Sequence, residues 1–134
     1  MFAWRERDDP LALACIQFVM KEEGKSIMMG AMPPAEATRA LAHLLPYERL
    51  TRIGTIRHIG PCPFNGETAY HVVLSVPQDK VTLMIMPATR MSSRRRAAHE
   101  GMYASVVPLG ATGSVGIIGT NPDVVESVAG ALRG

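Results

Sequence analysis

Apolar positions change period near the middle of the chain. In the first part they recur every three or four residues: Leu11, Cys15, Phe18 and Val19 make one stripe, and Ala37, Leu41, Leu44 and Leu45 a second. Asp9 followed by Pro10 offers a capping carboxylate and then a residue with no N–H to leave unpaired. A first helix is therefore predicted to begin there and to weaken near Gly24. A second helix is predicted to open at Pro34 and stop before Pro46.

After residue 50 the period falls to two. In "TAYHVVLSV", Tyr70, Val72 and Leu74 oppose Ala69, His71 and Val73, and in "KVTLMIM" Val81, Leu83 and Ile85 share a face. With "RIGTIRHIG" ahead of them, and with "PFNGE" and "PQDK" as short links, these segments predict a three-stranded antiparallel meander. Residues 88–99, "ATRMSSRRRAAH", read as a basic connection. Two more strands, "MYASVVPL" and "SVGIIG", follow and are joined by "GATG". Asn121 and Pro122 begin a last helix with the stripe Val124, Val125, Val128 and Leu132. Strands in a run with helices segregated around them predict an α+β fold. It comprises an antiparallel sheet of about five strands, with two N-terminal helices and one C-terminal helix covering its greasy side. Residues 1–134 are predicted to form a single domain.

Composition narrows the function. A hydrophobic content of 47% with 19% charged residues belongs to a folded chain. A net charge of +2 and 5% aromatic residues supply neither the field nor the stacking surface of a nucleic-acid binder. No apolar run has the length of a membrane span, so this segment is not expected to insert into a bilayer. The opening "MFAWRERDDP" carries charge where a secretory signal needs an apolar stretch. A complete chain would be cytoplasmic; a fragment that follows a membrane anchor would be periplasmic.

Candidate chemistry centres on Cys62 and His71. Thiolate and imidazole are soft metal ligands and also form nucleophile–base pairs. His58, Cys62 and His71 give three donors for zinc or copper within the meander, and Cys15 or His99 would have to supply a fourth. Three other uses stay open: thiol catalysis, architectural burial of both residues, and a Cys15–Cys62 disulfide in an oxidising compartment. Arg90, Arg94, Arg95 and Arg96 read as a solvated basic loop. Met28, Met29 and Met32 are grouped as copper(I) would require, and Met84 and Met86 share a strand face. Thioethers more often fill gaps between helices and sheet. No G-x-S-x-G elbow or phosphate loop is present, and no pair of carboxylates sits inside an apolar strand context.

The segments "DPLALACIQFVMKEEG", "IGPC", "GETAYHVV", "DKVTLMIMP" and the ending "GMYASVVPLGATGSVGIIGTNPDVVESVAGALR" resemble a bacterial domain-of-unknown-function family. That family forms the extracytoplasmic C-terminal region of membrane-anchored, anti-sigma-factor-like proteins. Cys62 and His71 match its cysteine and histidine, whereas Phe18 and Met20 stand where its first helix has histidine. The resemblance implies a non-catalytic regulatory or sensory module that binds a protein partner. The alternative is a small metal-binding protein using Cys62 and His71. A homodimer through an exposed sheet edge is a third expectation.

Overall fold

The computed structural model describes residues 9–23, 33–42, 44–77 and 79–133. Asp9 opens α1 (Pro10–Glu23), where its Oδ2 accepts the amides of Leu11 and Ala12 at 3.1 Å each. Ala12, Cys15 and Ile16 form the buried face of this helix. The helix α2 (Pro34–Leu41) begins at the expected proline. A further helix, α3 (Tyr47–Ile53), was not expected: Pro46 blocks continuation of the preceding chain and stands at the N-cap position of the new helix without a side-chain cap bond. The copper(I) grouping Met28, Met29 and Met32 lies outside the described residues.

Six strands follow where about five were predicted. They are β1 (Thr55–Phe64), β2 (Glu67–Val76), β3 (Asp79–Met86), β4 (Arg95–His99), β5 (Met102–Leu109) and β6 (Gly113–Gly119). The chain then closes with α4 (Pro122–Arg133), where Asn121 Oδ1 accepts the amides of Asp123 and Val124 as a cap. All strand pairs are antiparallel, in the order β1-β2-β3-β6-β5-β4. Two three-stranded meanders thus meet along β3 and β6. Each has a hairpin with a two-residue loop in which both φ angles are positive: Asn65–Gly66 at 54° and 77°, and Glu100–Gly101 at 49° and 80°. Such loops match the twist of the flanking strands.

The basic run is the main correction. Instead of a solvated loop, Arg95–His99 is an edge strand with alternating allegiance. Arg94 and Arg96 both donate to Glu126 on α4, while Arg95 lies 3.5 Å from Asp9 at the start of α1. The β3–β4 connection is fastened by Glu67, whose carboxylate accepts the Ala88 amide at 2.7 Å and the Thr89 hydroxyl.

A second correction concerns the core. The sheet is covered on both faces. On one, Ile59, Val72, Leu74, Leu83, Ile85 and Ile117 pack against α2, α3 and α4 through Leu41, Leu50, Val125 and Leu132. On the other, Cys62, Ala69, Met84, Met86, Val106 and Ile118 pack against Ala12, Cys15 and Ile16 of α1. No helix among the described residues is long and apolar enough to cross a membrane.

Candidate functional site

The polar residues of interest lie on the face covered by α1. Along β1, His58, Gly60 and Cys62 project to one side because side chains alternate. The register puts Gly60 opposite His71, and on the far side of β2 it puts Met84 opposite His71. Gly60 contributes no side chain, so His58 has room to reach diagonally to His71.

The two imidazoles meet at their Nε2 atoms, 2.7 Å apart. Their ring centroids are 4.7 Å apart with planes inclined by 14°. Centroids two ångströms farther apart than the nitrogens mean that the rings meet corner to corner, not face over face. One Nε2–H therefore donates to the other ring's Nε2 lone pair. Exposure is only 3% at His58 and 9% at His71. Burial, and secondarily the neighbouring His71, lowers the His58 pKa from its ordinary range, so the neutral ring is favoured. Phe18 of α1 lies over His71 with centroids 6.4 Å apart, and it meets Phe64 edge-on at 5.5 Å. The position at which the family resemblance expects histidine thus holds a ring that seals the pair from above.

Sulfur lies alongside. The Cys62 thiol donates to the Met84 thioether at 3.8 Å, and both residues are buried. Cys62 is therefore a neighbour of the histidine pair, and among the described residues no three His, Cys, Asp or Glu side chains converge on one point. The expected trio is resolved into His58 with His71, and Cys62 with Met84. Cys15 and Cys62 are both buried thiols, with no disulfide between them. Cys15 sits over Gly116 of β6, and burial, with a smaller contribution from Asp9, pushes its pKa up to about 12. A thiol so held is a poor nucleophile. His99 cannot join the site. It ends β4, the edge strand opposite β1, roughly 24 Å away at five strand spacings, and it is exposed beside Glu100.

Elsewhere, a surface groove of about 500 Å³ runs between α3 and α4, floored by Ile53, Val76, Val124 and Val128. Arg49 on its rim donates to the Ala131 and Leu132 carbonyls and so caps the end of α4. Sequence reasoning missed Met84 as a partner of Cys62, and Gly60 as the space that admits His58. A signal for the second existed. The Asn65–Gly66 turn pairs Phe64 with Glu67, and counting back from that pair brings Gly60 to His71. Neither a protein-family profile, nor a curated protein, nor a solved structure matches this chain.

Proposed function

We propose that this chain is a non-catalytic sensory module of a regulator, with the His58–His71 pair as its sensing element and a protein partner as its output. The observation that carries the reading is the 2.7 Å contact between two imidazoles inside the core, beneath α1. Paired imidazoles whose Nε2 atoms face one another are poised to bind something of ionic size. An organic substrate does not fit between groups this deeply buried. The nearest thiol, Cys62, donates to the Met84 thioether, a partner that cannot serve a nucleophile as its base. Occupancy of the pair would reposition Phe18 and hence α1, one of the layers that cover the sheet.

Placement outside the cytoplasm, behind a membrane anchor, follows from the family resemblance and is part of this proposal. The alternative of a small metal-binding protein uses the same face of the sheet, with His58 in place of Cys62 as the partner of His71.

The test is amide hydrogen exchange on the full chain with and without a panel of transition-metal ions, zinc and copper included. Changed protection in α1 together with β1 and β2 is expected for at least one ion. Exchange in α1 that no ion alters would remove the sensing role.

A further inference from the structure

Three features of the α1-covered face converge on one ligand chemistry. The first is the corner-to-corner meeting of His58 and His71, in which the lone pair of one Nε2 faces the other nitrogen. The second is Met84, the direct cross-strand neighbour of His71 and fully buried. The third is Cys62, whose thiol lies 3.8 Å from the Met84 sulfur and orients it. We propose that the Nε2 atoms of His58 and His71, with the thioether of Met84 as third ligand, hold one copper(I) ion beneath α1. The proposal rests on the sensory reading above and names the ligand sensed.

The donor set selects the metal. Imidazole alone suits zinc, copper, iron and nickel, whereas a thioether ligand selects copper(I). No carboxylate among the described residues converges here, so hard ions such as magnesium or calcium find no ligands. An imidazole nitrogen stands about 2 Å from a bound ion, so the Nε2 atoms must part from 2.7 Å to roughly 3.3 Å or more. The proton accounting also closes. The Nε2–Nε2 contact of 2.7 Å holds one proton between the two rings. On binding, that proton moves to Nδ1 of the ring that held it, and both Nε2 lone pairs face the ion. No electron is transferred. Cys62 is a positioning residue for Met84.

Competition with the copper(I)–bicinchoninate complex tests the proposal. Under reducing, oxygen-free conditions, the wild-type chain is expected to bleach the complex with a one-to-one endpoint. Met84→Leu keeps the volume and fold, as its melting curve will show, and is expected to weaken copper(I) binding about tenfold or more. His58→Gln and His71→Gln are each expected to weaken it further, while Cys15→Ala binds as the wild type does. The proposal is overturned if the wild-type chain leaves the complex coloured, if Met84→Leu binds as tightly, or if uptake depends on Cys15. It is also overturned if zinc binds the histidine pair and copper(I) does not, an outcome that leaves the sensory reading standing. Loss of the sensory reading is marked separately, by unchanged exchange in α1 with every ion.

Discussion

At Gly116 the sheet has no side chain, and Cys15 occupies the space: a Cβ built there would stand 3.0 Å from the Cys15 sulfur. Gly116→Ala therefore requires the fully buried Cys15 side chain to give by a few tenths of an ångström, and overpacking of this kind costs about 1–3 kcal/mol in a denaturant melt. An alanine variant as stable as the wild type would show that α1 does not sit on β6 as described. The same contact sets the behaviour of the thiol. Burial raises the Cys15 pKa from 9.0 to about 12, so the stability contributed by the neutral thiol is complete below pH 9 and is lost as pH rises from there towards 12. The difference in melting temperature between wild type and Cys15→Ala is expected to stay constant below pH 9 and to narrow above it. A difference that is flat through the alkaline range would contradict the burial. Cys15 was legible as a stripe residue of the first helix, because helical periodicity reports which face is buried. What lies against that face is set by tertiary packing. The pairing of His58 with His71 was legible in principle, since a two-residue Asn–Gly turn dictates the register of the strands it joins.

Helices with a capping side chain and a proline at the first position were legible from local chemistry alone, as Asp9–Pro10 and Asn121–Pro122 show. The elements that escaped lacked such marks. The helix α3 starts at Pro46 with no side-chain cap, and its seven residues are too few to show a period. The strand β4 is hidden in an arginine run, and the hairpin after it turns on Glu100, whose left-handed φ of 49° is unusual for that residue type. Charge masked an alternation that the structure makes plain, with Arg94 and Arg96 turned to α4 and Arg95 to α1. Glu126 is thus a carboxylate of α4 shared by Arg94 and Arg96, with its side chain 17% exposed. Its removal takes a charged partner from two guanidinium groups whose side chains are only 29% and 28% exposed. Glu126→Ala is expected to cost roughly 1.5–3 kcal/mol of stability. The loss should be smaller at molar salt, where the pairs are screened in the wild type as well. A loss that is absent at low salt, by thermal or urea melt, would mean that α4 is held by Val125, Val128 and Leu132 alone.

On the scale of the whole molecule, the expectation of a sheet with one greasy side follows from reading alternation as inside against outside. Here both sets are apolar: Val72 and Leu74 face α2–α4, while Ala69, Met84 and Met86 face α1, and all seven residues of β6 are buried. A strand buried on both faces reads as a continuous apolar run, which periodicity alone does not resolve. Among the described residues the sheet ends at β1 and β4, and β4 already takes one backbone bond from outside the sheet, from the Asp9 amide to the Arg96 carbonyl at 3.3 Å. Each carries a block to pairing. The strand β4 has five residues and two arginines, and β1 carries Pro61 and Pro63, both exposed. Proline cannot donate to β2, so in a regular antiparallel ladder both nitrogens belong on the outer side of β1, opposite Tyr70 and Thr68. There they remove two donors that a second chain would need. The edge-to-edge homodimer is therefore expected to be suppressed in the wild type and released by restoring those donors. Pro61→Val with Pro63→Val should leave the pairing with β2 intact and give, by light scattering, a mass that rises with protein concentration, while the wild-type mass stays that of one chain. A double variant that remains monomeric at the highest soluble concentration would show that the missing donors are not what keeps β1 from pairing. A wild type that is already dimeric would place the interface elsewhere, with the apolar groove between α3 and α4 the next surface to mutate.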